Sequence, residues 1–259
     1  MGKHVFAEER WENDIHIVLA AKGGIGKTFV ASLFAQYADY CGKPMKVLDL
    51  DQSNQMLARV PSLHAEAVPL LSDKRFDSAK MDGLIKRMVS EPGPYILDVG
   101  ASTFIDMWRY FIKYQMFALL KAQGRRVIIH SVVVGGPEMP DTLKSFLDVV
   151  SVVPDRQVIV WLNPVRGAIA DGGKRFLEMS LYVANQEKVL GVIDLPEADE
   201  ATLGDLHTMT LNLHTLSTVN ECEELEFFSK HRVSIHRELL FSQIGDTWEV
   251  LVGDASAAA

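Results

Sequence analysis

The sequence is poor in cysteine, with Cys41 and Cys222 the two thiols in 259 residues. They offer neither a disulfide framework nor a CxxC metal pair, and they lack the spacing for a bridged metal cluster. No apolar run approaches the ~18–20 residues that cross a bilayer. The opening stretch Met1–Asp14 is polar and mixed in charge, without the apolar core of a signal peptide. Met1-Gly2 opens the chain, yet Phe6 stands where a myristoylation motif needs Ser or Thr. The end, TWEVLVGD before the last residues, has no basic amphipathic face for a membrane surface. Positive charge is in deficit, with 26 Lys and Arg against 34 acidic residues and a net charge of −8. A surface of that sign repels a phosphate backbone, so constitutive whole-surface DNA binding is disfavoured and a local basic patch stays open. Low-complexity linkers and internal repeats are lacking too. One domain over 15–253 is therefore expected, with a polar segment 1–14 before it, a disordered tail 254–259 after it, and the cytoplasm as its location.

What is present is an ordinary globular balance, 48% hydrophobic and 23% charged. Short β-rich runs recur at Ile15–Ala21, Lys46–Leu50, Tyr95–Val99, Arg126–Val134, Gln157–Leu162 and Val189–Leu195, with a weaker seventh at Ala67–Leu71. Apolar on both faces, they read as strands buried between helix layers. Between them lie helical patterns. One runs from Thr28 to a stop at Gly42, and others cover Ser78–Ser90 and Thr103–Lys121. A further one lies within Pro137–Val150, with Leu143, Phe146, Leu147 and Val150 on its stripe. Glu221–Phe241 carries acids first and bases last, which complements a helix macrodipole and predicts a long C-terminal helix. The alternation predicts an α/β fold, a doubly wound and mostly parallel sheet flanked by helices.

The most informative stretch is Ala21-Lys22-Gly23-Gly24-Ile25-Gly26-Lys27-Thr28, between a predicted strand and a predicted helix. Glycines let backbone N–H groups turn inward on phosphates, and the helix N-terminus adds its dipole. Gly23, Gly24, Ile25, Gly26, Lys27, Thr28 and Phe29 form the candidate cradle. Lys27 is placed to reach the β- and γ-phosphates of ATP and Thr28 to ligate Mg²⁺. The strict GxxxxGK[ST] pattern fails at its first position, where Ala21 stands. Two strand-end acidic motifs accompany the loop. KVLDLD ends in Asp49 and Asp51, and YILDVG carries Asp98 after an apolar run, the Walker B pattern.

The run KGGIGKT resembles the deviant Walker A loop of the ParA/MinD class of P-loop ATPases. That resemblance implies that Lys22 reaches the partner's phosphates across an ATP-dependent homodimer. It implies that Asp51 orients the attacking water and that Asp49 is structural or near Mg²⁺. Gln52 replaces the class's usual proline, and Val99-Gly100-Ala101-Ser102 replaces its proline pair after Asp98. Taken together, ILDVGASTF, VIIHSVVVGG, VIVWLNP and GGKRFLEM resemble the TraL proteins of plasmid conjugal transfer systems, over roughly Ile15–Met179. The implied protein is a cytoplasmic ATPase-like accessory of a transfer operon, a slow hydrolase dependent on Mg-ATP, with a transfer-apparatus protein as a further partner. A partition ATPase, a biosynthetic P-loop ligase of the dethiobiotin synthetase kind and a non-hydrolysing nucleotide-binding scaffold are the alternatives. The ligase reading leaves Lys22 without a use.

Asn163 matches the position that meets the adenine edge in this class, or else it turns the chain before Pro164. Pro196 and Glu197 follow the last strand, where backbone groups of the class contact the base. His130, with no second ligand at metal spacing in the sequence, reads as a satisfied sheet histidine. Phe104–Phe117 is apolar around nearly its whole circumference, so it is either fully buried or a docking face marked by Trp108, Tyr110 and Tyr114.

Overall fold

A computed structural model describes residues 11–253, so residues 1–10 and the expected tail 254–259 lie outside the described residues. Six strong strands and one short edge strand form a single sheet: β1 Asp14–Leu19, β2 Lys46–Asp49, β3 Glu66–Ala67, β4 Tyr95–Asp98, β5 Arg126–Val134, β6 Val158–Asn163 and β7 Val189–Asp194. Their order is β7-β6-β5-β1-β4-β2-β3, and every pairing is parallel. A fully parallel sheet must be covered on both faces, which is why its strands read as continuous apolar runs. The principal helices are α1 Lys27–Tyr40, α2 Ser78–Ser90, α3 Ala101–Lys113, α4 Met116–Ala122, α5 Met139–Val150, α6 Glu200–Leu211 and α7 Phe227–Gly253. The expected doubly wound α/β architecture is the observed one.

Alternation along β5 sorts the core into two layers. Ile128, Val132 and Val134 face a cluster with Val30, Phe34, Leu240 and Trp248. Val127, Ile129 and Val133 face the opposite cluster with Phe104, Phe111, Phe146 and Phe176. Trp11 is buried in the first layer, 4.5 Å from Trp248 between ring centroids, so the packed unit takes in residues ahead of Ile15.

The helix expected over Thr103–Lys121 is instead two, α3 and α4. Gln115 adopts a left-handed conformation (φ 50°) that breaks the helix and lets Met116 and Leu120 turn inward. Within α3, Phe104, Met107, Trp108, Tyr110 and Phe111 are buried. Trp108 and Tyr110 are thus core side chains while Tyr114 is 48% exposed, so the docking face drawn through those three is wrong. The stripe of α5 runs through Thr142, Ser145, Phe146, Val149 and Val150, leaving Leu147 outside. The C-terminal helix begins at Phe227 rather than Glu221: Glu221 ends a 3₁₀ turn, and burial of Cys222 and Leu225 holds the following acidic residues out of the α-helix. The edge strand is Glu66–Ala67 rather than Ala67–Leu71, and α6 is a helix that the periodicity did not indicate. Its cap is visible in the sequence, since the Asp199 carboxylate accepts the Thr202 N–H at 2.7 Å.

A polar chain crosses the α1-side core. Trp161 Nε1–H donates to His130 Nδ1 at 2.9 Å, and His130 Nε2 lies 2.8 Å from His16 Nδ1. The indole can only donate, so His130 carries its proton on Nε2 and passes that hydrogen bond to His16. The satisfied sheet histidine is confirmed, with a second imidazole beside it from a neighbouring strand. Burial lowers the His130 pKa to about 3 and drives that of His16 well below its ordinary value. Arg126 pairs with the fully buried Asp14 carboxylate at 2.8 and 2.5 Å on the same strands.

Both histidines bind protons in the unfolded chain near pH 6.5 and resist them in the fold. Their contribution to stability is complete above about pH 6.5 and is lost as pH falls towards 3, at up to about 1.4 kcal/mol per pH unit for each ring. Urea midpoints measured from pH 7.5 down to 4.5 should therefore fall less steeply for His130→Gln than for the wild type, by about one proton. Equal slopes would mean that His130 charges without cost in the folded state.

Candidate functional site

The site lies at the C-terminal edge of the sheet, where β1, β4 and β2 stand side by side. Register sets Val18, Asp98 and Asp49 level with one another. Beyond Leu19 the chain loops into α1. Gly24 (φ 72°) and Gly26 (φ 97°) hold left-handed conformations that other residues adopt only under strain. A Cβ on Gly26 would stand 2.7 Å from Asn163 Nδ2, so a larger residue there would displace the Asn163 side chain as well as strain the backbone.

Lys27 opens α1 and is buried, its ammonium donating to the Lys22 carbonyl at 2.8 Å. Burial lowers its pKa, against the pull of Asp98 and Asp51. The Thr28 hydroxyl donates to Asp98 Oδ2 at 2.7 Å. Burial pushes the Asp98 pKa up to about 6; the Thr28 hydrogen bond and Lys27 oppose this shift, while Asp49 and Asp51 add to it. Lysine, hydroxyl and carboxylate are thus gathered at one helix N-terminus.

Asp49 is buried, with Oδ1 accepting the Asp51 N–H at 3.1 Å and Oδ2 the Ala58 N–H at 3.1 Å. Both its oxygens are engaged in shaping the loop after β2, which favours the structural role over the metal-shell one. Asp51 lies on the rim, its Oδ1 accepting from the Ser53 and Asn54 N–H groups. Gly100, after β4, packs against it so closely that a Cβ would lie 2.7 Å from the Asp51 carboxyl. The Ser53 and Ser102 hydroxyls are 3.4 Å apart across the same contact. The two loops after β2 and β4 are therefore in direct touch, a coupling that motif spacing could not reveal. Gln52 uses what a proline would lack, its N–H donating to the Leu50 carbonyl at 3.2 Å. Its Oε1 also accepts the Leu71 N–H at 2.5 Å.

Lys22 points away from this cluster, towards Asp141 in the first turn of α5, at 3.3 Å. Asn163 ends β6, its Nδ2 donating to the Ile25 carbonyl at 3.1 Å and its Oδ1 accepting the Val165 N–H at 3.2 Å. It both turns the chain before Pro164 and ties β6 to the loop. A cavity of about 700 Å³ starts at Gly24, Gly26 and Thr28 and passes Asn163, Pro196 and Glu197. It continues along Phe29, Ser32 and Gln36 to His214, His236 and Leu240. Such a volume suits a small-molecule ligand with an apolar body and a few polar contacts. Of the residues singled out in the sequence, the loop, Asp49, Asp51, Asp98 and Asn163 gather at this edge of the sheet, Gly24, Gly26, Thr28, Phe29 and Asn163 among them lining the cavity, and Lys22 stands at the loop's outer side.

No protein-family model matches the chain. Two curated relatives from Escherichia coli, both named Protein TraL, are each 32% identical to it over 232 residues, which is 89% of this chain and 96% of theirs. Among solved structures, the MinD cell division protein of Aquifex aeolicus gives a TM-score of 0.44 at 16% identity, covering 88% of this chain and 96% of that one. A putative plasmid partition protein of Borrelia burgdorferi bound to AMPPNP gives 0.42 at 12%, with coverages of 90% and 100%. A ParA family ATPase from Chlorobium tepidum gives 0.40 at 15%, with 86% and 96%. At these scores the likeness is loose and decides nothing about chemistry.

The raised Asp98 pKa makes its ionised carboxylate a net burden on the protein alone. Its folded pKa near 6 exceeds the unfolded value of about 3.9, so the cost is absent below pH 4 and grows as pH rises through 6. Asp98→Asn keeps the Thr28 hydrogen bond and removes the charge. It should raise stability at pH 8 by about 1–2 kcal/mol in urea titrations, and the gain should vanish by pH 4. A variant less stable than wild type at pH 8 would show that the ion is fully compensated.

Proposed function

The chain belongs to the TraL family, and we propose that it binds Mg-ATP at the loop between β1 and α1 and works as a nucleotide-dependent dimerisation switch in plasmid conjugal transfer. The observation that carries this reading is the meeting of the buried Lys27 ammonium, the Thr28 hydroxyl and the Asp98 carboxylate beneath a glycine loop in left-handed geometry. This donor set fits the group: backbone N–H groups and Lys27 for phosphate oxygens, Thr28 and Asp98 for a hard divalent cation. When bound, Mg²⁺ neutralises charge on the β- and γ-phosphates.

The chain's own residues do the rest. Lys27 exchanges the neutral Lys22 carbonyl for phosphate oxygens, a charge-assisted contact in a low-dielectric cradle. Asp51, on the rim, orients water for slow hydrolysis, and its contact with Gly100 lets the loops after β2 and β4 move together. Asn163, Pro196 and Glu197 border the cavity where the base would lie. Lys22 is half exposed and its pairing with Asp141 is worth under about 1 kcal/mol, so it leaves readily for a phosphate of a second subunit. A transfer-apparatus protein is the further partner of the ATP-bound form. Among the described residues no helix is long and apolar enough to cross a membrane.

Two substitutions separate binding from switching. Lys27→Ala should reduce ATP affinity at least about a hundredfold in calorimetry, by loss of the buried charged contact. Affinity within twofold of wild type would count against the phosphate-loop assignment. Lys22→Ala should keep ATP affinity while losing the mass increase that Mg-ATP produces in sedimentation. An unchanged ATP-dependent dimer with unchanged turnover would remove the trans role of Lys22.

A further inference from the structure

Away from the phosphate loop, three side chains of metal-binding type converge between α6 and α7. They are His214, just after α6, Cys222, fully buried after a 3₁₀ turn over Leu216–Glu221, and Glu224, exposed two residues on. One donor atom from each lies within 4.8 Å of the other two. Cys222 Sγ and Glu224 Oε2 are 3.5 Å apart. A metal with Zn–S near 2.3 Å and Zn–O near 2.0 Å at a tetrahedral angle would hold sulfur and oxygen about 3.5 Å apart. These two donors thus already span one edge of a coordination tetrahedron.

The scaffold beneath them is fixed. The Thr218 hydroxyl is 3.4 Å from His214 Nδ1 and accepts the Thr215 N–H at 2.9 Å, which limits the rotation of the imidazole. Ser217, in the same turn, donates its N–H at 3.0 Å and its hydroxyl at 3.2 Å to Gln36 Oε1 on α1. His214 also lines the cavity that begins at the phosphate loop. The three donors therefore sit on a turn pinned to the helix that carries Lys27 and Thr28.

We propose that His214, Cys222 and Glu224 form a site for a thiophilic divalent cation of the zinc class, with three protein ligands and a fourth position open. A thiolate with an imidazole selects such ions over Mg²⁺, which prefers oxygen donors. On binding, the Cys222 thiol releases its proton to solvent and its sulfur electron pair forms the metal bond; no oxidation state changes. The ion would clamp the turn over Leu216–Glu221 against the end of α6.

The test is a titration of the full-length, nucleotide-free and Mg-free chain with Co²⁺, followed by absorption. One equivalent should bind with a sulfur-to-cobalt charge-transfer band in the near ultraviolet, and Zn²⁺ should displace it. Cys222→Ser should abolish the band and Cys41→Ser should leave it. Glu224→Gln, on an exposed side chain that the fold does not need, should weaken Co²⁺ binding at least about tenfold. Absence of a thiolate band at saturating Co²⁺, its survival in Cys222→Ser, or unchanged affinity in Glu224→Gln would each overturn the site. The glutamine variant keeps the outcome decisive if the serine variant fails to fold.

Discussion

Lys27 and Asp98 are buried at the edge of a parallel sheet, and much of the surrounding geometry exists to make that tolerable. Taking two charges out of water costs several kcal/mol for each, and mutual attraction often fails to repay it. Here the carboxylate is helped by the Thr28 hydroxyl and the ammonium by the Lys22 carbonyl, yet burial still moves both pKa values towards the neutral forms. Strand register adds to the strain by setting Asp49 directly beside Asp98. Asp49 is made bearable by two backbone N–H donors, and those same hydrogen bonds fix the loop that presents Asp51. An undercompensated charge cluster at the end of the sheet is stability given up locally, as binding sites generally require.

Helix α1 connects this cluster to the rest of the molecule. Its first turn carries Lys27 and Thr28, its middle packs Phe34 against the His130 and Trp161 rings, and Gln36 reaches across to Ser217. The core under α1 holds the buried imidazole and indole chain, whereas the layer under α3 and α5 is mainly aliphatic and aromatic, with the small hydroxyls of Thr103, Thr142 and Ser145 buried on those helices. Directional hydrogen bonds among His16, His130 and Trp161 fix the register of three strands more tightly than apolar contacts can. Gln36 in turn ties α1 to the turn over Leu216–Glu221.

The loop and strands were legible in the sequence because their causes are local. Glycines at 24 and 26 are demanded by backbone conformation, and doubly buried strands need apolar residues on both faces. Asp98 was readable for the same reason, as a carboxylate ending an apolar run. Helix ends were less so. The acids at 221–226 obey the macrodipole rule, but two buried side chains, Cys222 and Leu225, outweigh its few tenths of a kcal/mol. Features made by distant segments left no local trace. His16 meets His130 across 114 positions, and Lys22 meets Asp141 across 119. His214 reaches Cys222 only because a 3₁₀ turn folds the chain between them.

The two lysines of the loop show how environment divides labour between identical side chains. Lys27 is buried, its hydrogen-bond partner is a neutral carbonyl, and its charge lies in the field of Asp98 and Asp51. Lys22 is 45% exposed and Asp141 63% exposed, so solvent screens their pairing and either can leave at little cost. A phosphate that brought more charge than one carboxylate would draw Lys22 off Asp141, whereas nothing in a single chain would draw Lys27 out of its cradle. Fixed binding and exchangeable contact are then distributed between the inner and outer sides of one glycine loop. In the proposed reading, the first makes the chain a nucleotide binder and the second makes its association depend on what is bound.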